Sequence, residues 1–385
     1  MGDNTLSRTA YTSIHAKATQ GGTRSATRDA EEQFHWGGGM DPLVDPKGPA
    51  HLGPVRLSLP RFEKQGNYWL LTRGIPMPEE TLLDTTGSMG SNVDTALKVL
   101  MHDYEMSTGG DRPVLGRYDL QIATATFNDV EDNVRDGKPV LCRTQFEADE
   151  KIALQMALLL PGRGGYGNGK EDPQFGLFGA AYLTNASINR YGLKSYHFAV
   201  SDEPLVETVS LTWLKAIYGD DVLERIRGNG YDVDAKAMPD TAQVIRDLHE
   251  KAHAFFLQVD DRKDVADQWT DLYGADHVIS LPDGTRHLHF VKAVVIGLTE
   301  GTLDLHSAKE FLRGHGASAD IANKVIRATA HIPLEAQKRN EYFDRIPKAG
   351  DLFKEKTDLW PIDAREIDAG AEDVAASDDE PITWI

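Results

Sequence analysis

The sequence predicts an α/β protein: a doubly wound, mostly parallel sheet with helices on both faces, an N-terminal extension and a small C-terminal helical appendix. Three observations predict it. Short apolar runs alternate with helix-period segments between about residues 80 and 302, a pattern that gives parallel strands covered by crossover helices. The polar stretch Asp84-Thr85-Thr86-Gly87-Ser88 falls between an apolar run and an amphipathic segment, and open α/β sheets collect ligands at such strand ends. The chain is 385 residues long and 40% hydrophobic, enough for a core of this kind.

Taken in order, residues 1–52 are rich in Gly, Ser, Thr and Ala and lack apolar periodicity; they read as a flexible arm. Residues 53–75 read as extension strands. Val55-Arg56-Leu57-Ser58-Leu59 alternates, and Tyr68-Trp69-Leu70-Leu71 is aromatic and apolar. The main domain is expected over 76–302. It opens on the short strand Thr81-Leu82-Leu83. Val93, Ala96, Leu97, Leu100, Met101 and Tyr104 then fall at helical spacing. Strands follow over 120–127 and 140–146, then a helix over 175–183, a strand over 196–200 and a helix over 205–218. A helix over 241–252, strands over 254–259 and 277–281, and a helix over 290–298 complete the domain. Residues 303–347 read as the helical appendix. Residues 348–385 read as an acidic, disordered tail; its last stretch, from Pro361, holds eight Asp or Glu and one Arg and ends on Ile382, Trp384 and Ile385. Acidic runs of this kind are usually solvated, with docking by the apolar tip as the sharper alternative.

Composition narrows the function. The formal net charge of −19 repels phosphates, and no basic stripe offsets it, so no nucleic-acid partner is expected. No run approaches the ~20 apolar residues of a membrane span, and no apolar signal core is present, so a soluble cytoplasmic protein is expected. The one cysteine, Cys142, allows neither an internal disulfide nor a Cys-pair zinc site, and its apolar run predicts a buried thiol.

The residues with chemistry are oxygen donors. Asp84, Thr86 and Ser88 stand at alternate positions on a turn that Gly87 permits, and such hard ligands suit Mg²⁺, which keeps several waters and needs few protein ligands. Mn²⁺ and Ca²⁺ are the related alternatives. Read alone, the loop is better explained by Ser88 capping the next helix, and the metal reading rests on the strand before it, the amphipathic helix after it and a second acidic loop. A second acidic loop, Ser201-Asp202-Glu203-Pro204, closes the strand over 196–200, and Asp202 there is placed to reach the same sheet edge.

These residues resemble the von Willebrand factor A (vWA) family. Leu82-Leu83-Asp84-Thr85-Thr86-Gly87-Ser88-Met89 looks like the first loop of its metal-ion-dependent adhesion site (MIDAS), with Thr86 in place of Ser. Thr124 to Asp129 resembles its third strand, and Ser201-Asp202-Glu203-Pro204 its third loop. The resemblance covers roughly residues 75–302 and is most specific in the first loop. It implies a metal-bridged protein–protein interaction, in which a partner carboxylate completes the ion's coordination, and no catalysis. Bacterial and phage members often serve beside AAA-type ATPases as adaptors or assembly components. The threonine of the family's second loop has no clean match. In its place stands a glycine-rich loop from Gly162 to Pro173, where Glu171 or Asp172 is the candidate oxygen donor; the alternative is a charge stabilising a helix N-terminus. Asn128 and Asp129 read as turn formers.

Rival readings are weaker. Gly164 to Lys170 fits G-x-x-x-x-G-K, but Glu171 stands where a phosphate loop needs Ser or Thr. His287 and His289 flank Leu288 as if on one face of a strand, with no acidic partner at ligand spacing, so a metal hydrolase is disfavoured. A structural assembly component using the same fold without metal is the remaining alternative.

Overall fold

A computed structural model describes residues 27–35, 37–48, 55–56, 60–109, 113–148, 151–165 and 169–359. Its centre is a six-stranded sheet built from β1 (Pro76–Asp84), β2 (Asp119–Phe127), β3 (Leu141–Arg143), β4 (Ser195–Ser201), β5 (Ala252–Gln258) and β6 (Val278–Ser280). The spatial order is β6-β5-β4-β1-β2-β3. All neighbours are parallel except β2 and β3. This is the doubly wound, Rossmann/vWA-like arrangement the alternation predicts. The chain builds outward from β1 through β2 and β3, then returns to place β4 on the other side of β1. That reversal opens a crevice at the carboxyl ends of β1 and β4.

Side chains alternate between two cores, one on each face of the sheet. Leu83, Phe198, Val200, Phe255 and Leu257 pack beneath the helices Asn92–Leu100 and Leu288–Glu300. Leu82, Ala199, Ala254 and Phe256 face the other way, toward Gln174–Leu183, Leu211–Tyr218, Thr241–Lys251 and Lys263–Tyr273. Both faces being covered, β1 is buried along all nine residues.

β1 begins five residues earlier than its apolar run suggests and includes Pro76, Pro78, Glu79 and Glu80. The register explains the prolines: pairing with β4 starts only at Glu79, so residues 76–78 have β2 on one side alone, where a missing N–H is tolerated. The glutamates are tolerated because each meets an internal cation. Glu79 lies 2.8 Å from Lys292 Nζ, and Arg143 donates to both oxygens of Glu80 at 2.6 and 2.8 Å.

Several expectations change. The pattern at Val93 to Tyr104 forms two helices, Asn92–Leu100 and Asp103–Thr108, with a turn between them. The helix expected from Leu205 starts at Leu211, where Ser210 caps it; Leu205 instead bridges to Glu171. His287 and His289 do not share a strand face: they lie in a 3-10 turn and at the start of a helix. The appendix is not separate, because Ala308, Leu312, Ala322 and Val325 join the main core. The arm and tail are partly ordered. Residues 28–35 form a helix, Val44 is fully buried and its carbonyl accepts from Arg143 N. Leu352–Phe353 adds a third strand to the hairpin Arg61–Gln65/Tyr68–Arg73, and Leu359 is fully buried. Val55–Arg56 pairs with Thr184–Asn185, while Leu57 to Leu59, residues 1–26 and the stretch from Trp360 to Ile385 lie outside the described residues.

Candidate metal site at the crevice of β1 and β4

Asp84 is the last residue of β1 and Ser201 the last of β4, so the strand reversal itself brings them together. Asp84 is fully buried. Its Oδ1 accepts from Thr86 N at 2.9 Å and from Thr86 Oγ1 at 2.6 Å. Its Oδ2 accepts from Ser201 Oγ at 2.6 Å. Ser88 Oγ donates to Asp202 Oδ1 at 2.9 Å and stands 3.2 Å from Thr86 Oγ1. The four residues Asp84, Thr86, Ser88 and Asp202, spread over 118 positions of sequence, thus form one continuous oxygen cluster. Each hydroxyl spends its proton on a carboxylate, which leaves its lone pairs for a cation. Ser88 does not cap the following helix; the residue before that helix is Ser91, and it makes no side-chain cap either.

The loop is held by its neighbours. Gly87 N donates to Gly164 O at 2.7 Å, and Arg163 N to Thr85 O at 2.7 Å. A Cβ on Gly87 would sit 3.3 Å from the Gly164 carbonyl carbon, and one on Gly162 would sit 2.1 Å from Asn128 Oδ1. Gly162 is therefore required by close approach, while Gly87 leaves only a tight fit for a side chain. Asn128 is fully buried. Its Oδ1 accepts from Gly162 N at 2.8 Å and from Thr85 Oγ1 at 2.6 Å, and its amide donates to Pro139 O. It buckles three loops together.

The two second-loop candidates separate. Asp172 is not part of the oxygen cluster: its carboxylate accepts from Val130 N at 2.8 Å and from Gln174 Nε2 at 2.6 Å. It stabilises the start of the helix Val130–Asp136, as carboxylates do at helix N-termini. Glu171 is buried beside Thr86, Asp84 and Asp129, and its Oε2 has no hydrogen-bond partner. Asp129 is also buried, with Oδ1 unpartnered.

These carboxylates are expensive as they stand. Burial pushes Asp84 up to about 7, against the lowering effect of its bonds from Ser201 and Thr86. Burial and the charge of Asp84 push Glu171 up to about 12. Asp129 rises to about 6, again through burial, and burial raises Asp202 as well. Among the described residues, no lysine or arginine forms an ion pair with Asp84, Asp202 or Glu171. Buried carboxylates with no internal counter-ion favour either protonation or an added cation.

A divalent cation fits this donor set. Among the described residues no three carboxylate, imidazole or thiol groups form a ready-made metal cage. The set is instead two carboxylates with hydroxyls, the sparse kind that leaves a Mg²⁺ ion partly hydrated. Gly87 and Ser88 are exposed, whereas Asp84, Thr86 and Asp202 are buried. Among the described residues of the cluster, Ser88 is the solvent-facing one.

Sequence reading gives no role to Ser201, which donates to Asp84, or to Asp129, which lies beside Glu171. Ser201 could have been found as the residue before Asp202 at a strand end. From the sequence Asp129 reads as a turn former, because its proximity to Glu171 is set by the tertiary fold rather than by local sequence. Tyr166 to Asn168, within the glycine pattern 164–170, lie outside the described residues.

No family model matches the chain, and no curated protein matches it. Among solved structures it is similar to the pilus adhesin SpaC from Lactobacillus rhamnosus GG in its open conformation. The TM-score is 0.38 at 14% identity, over 61% of this chain and 33% of the adhesin. A second structure of that adhesin gives 0.35 at 14% identity, over 62% and 34%. The chain thus spans about a third of the adhesin's length, and scores at this level carry no inference about the site. Among the described residues no helix is long and apolar enough to cross a membrane.

Proposed function

We propose that the chain is a non-catalytic protein-binding module of the vWA kind that works through a Mg²⁺ ion at the end of β1. The observation that carries this reading is the convergence of Asp84, Thr86, Ser88 and Asp202 around a buried carboxylate that has no counter-ion among the described residues. Thr86 and Ser88 would offer hydroxyl lone pairs, and Asp84 and Asp202 the charge, directly or through water. Glu171 stands as a further donor at the inner edge. When bound, the ion supplies a strong point of attraction for a carboxylate. The exposed Ser88 side is where a partner's Asp or Glu would approach, on an adaptor or assembly component, with an AAA-type ATPase as one class of partner.

The reading is tested by calorimetry with Mg²⁺ and Mn²⁺ on wild type and Asp84→Ala. Wild type is expected to bind one ion, and the variant to lose at least tenfold in affinity. Equal binding by both proteins would remove the site assignment. A pull-down from the native host with and without EDTA then asks whether capture of a protein needs both the ion and Asp84.

A further inference from the structure

The arm helix Arg28–His35 is tied to the candidate metal loop through Arg163. The Arg163 backbone N donates to Thr85 O at 2.7 Å, and the next residue, Gly164, accepts from Gly87 N at 2.7 Å. The guanidinium holds two carboxylates. Its Nε and Nη2 donate to Glu31 of the arm at 2.9 and 3.2 Å, and its Nη1 and Nη2 donate to Asp94 at 3.1 and 2.6 Å. Glu31 is oriented from its other side by the hydroxyl of Thr27, a fully buried residue. Asp94 belongs to the first turn of the helix that follows the metal loop, so Arg163 grips that loop at both ends and the arm as well. Its backbone has φ +53°, a conformation that favours glycine and strains a side chain. Glycines stand on either side, and the clamp accounts for an arginine between them.

The clamp lies within the footprint of any protein that lands on Ser88. Gly87, Ser88, Gly90 and Ser91 are exposed, and Ser91 and Asp94 are three positions apart at a helix start, on one face. A standard interface covers about 800 Å² per partner, a patch roughly 16 Å in radius, so one centred on Ser88 reaches the Arg163 clamp. The arm helix is also built to leave. None of its residues is fully buried, and Ala30 and Phe34 pack against the main core only partly buried. Departure of Glu31 would leave Arg163 paired with Asp94, so no charge is stranded, and partly exposed ion pairs of this kind contribute little. We propose that the helix Arg28–His35 is an autoinhibitory strap, held at the rim of the Ser88 face by Glu31 and Arg163, which a protein binding there must displace. The proposal rests on the reading of that face as the partner's landing site.

The test measures access to that face in the full-length protein carrying Ser91→Cys; Cys142 is buried and will not compete for label. Labelling rates are compared for N-ethylmaleimide and for a maleimide carried on a small globular protein. A closed strap slows only the protein-borne reagent, in proportion to the fraction of chains with the strap open. Glu31→Gln, and separately Arg163→Gly, a substitution the positive φ favours, should each raise the ratio of protein-borne to small-reagent rates at least fivefold. A ratio unchanged in either variant overturns the proposal. So does an equal acceleration of both reagents, which would mean that the loop had loosened rather than been uncovered. Both rates are read in EDTA, so the outcome does not depend on an ion at Asp84. If calorimetry finds no Mg²⁺ there, the metal reading falls by that result alone, and these rates still decide whether the strap shields the face.

Discussion

The two halves of β1 bury carboxylates in opposite ways. At its amino half, Glu79 faces Lys292, which also contacts Asp103 and donates to Thr81 Oγ1, and Glu80 holds the Arg143 guanidinium. Every charge there has its counter-ion within the chain. At its end Asp84 is equally buried, its neighbours Asp202 and Glu171 are acidic, and among the described residues no lysine or arginine forms an ion pair with them. One strand thus shows both a buried charge paired inside the fold and a buried charge with no ion pair among the described residues.

The first way to break the comparison is to make the amino half resemble the carboxyl half. Lys292→Met strands Glu79 and Asp103 without a partner, and breaking a fully buried pair typically costs about 3–5 kcal/mol. Urea unfolding should show a loss of that size; a loss below about 1 kcal/mol would mean the triad contributes little.

The second probes acid. His197 pairs with Glu80 in the β1–β4 register, is buried with both ring nitrogens unpartnered, and is pushed down by burial to about 4 from 6.5. The unfolded chain takes up its proton near pH 6.5 and the folded chain only near pH 4. Stability is therefore present above pH 6.5 and lost as pH falls through that window, by on the order of 3 kcal/mol in full. His249, His253 and His289 are pushed down by burial over the same window, so His197→Leu should reduce the slope between pH 6.5 and 4 without removing it; an unchanged slope would exonerate this histidine.

The third makes the carboxyl half resemble the amino half by adding the cation. At a hundredfold excess over its dissociation constant, Mg²⁺ should stabilise wild type by about 2.7 kcal/mol. Asp84→Asn should gain nothing from Mg²⁺ and, relieved of a buried charge, should match or exceed wild type in EDTA. Calorimetric melting decides it: an Asp84→Asn protein much weaker than wild type without metal would mean the carboxylate is structural. The smallest effect is expected for Asp172→Asn. It should cost about 1 kcal/mol through the weakened bond from Val130 N and leave Mg²⁺ affinity within threefold; a larger drop in affinity would return Asp172 to the site.

What could be read from the sequence followed from local periodicity. The apolar alternation gave the strands of the sheet, and the loop Asp84 to Ser88 with Asp202 gave the candidate cluster, because a strand end fixes where such residues go. What could not be read depended on distant partners. Glu79 and Glu80 looked foreign to a strand because Lys292 and Arg143 lie 213 and 63 positions away. Asp172 looked equivalent to Glu171, yet alternate directions of their side chains send one to a helix start and the other toward Thr86. His287 and His289 matched a two-residue period by chance inside a turn and helix. The order found in 28–48 and 352–359 is imposed by packing, Val44 and Leu359 being the buried anchors.

The small bond from Arg143 N to the Val44 carbonyl also bears on self-association. β3 is the antiparallel rim of the sheet, and a bare rim is a template for another chain's backbone. Here the crossing segment covers that rim at Arg143, leaving one fewer open backbone group for another chain. A shortened chain that began at residue 53 would keep every residue of the candidate metal cluster yet lose both that cover and the buried Val44, so it would be expected to be less stable and to self-associate more readily.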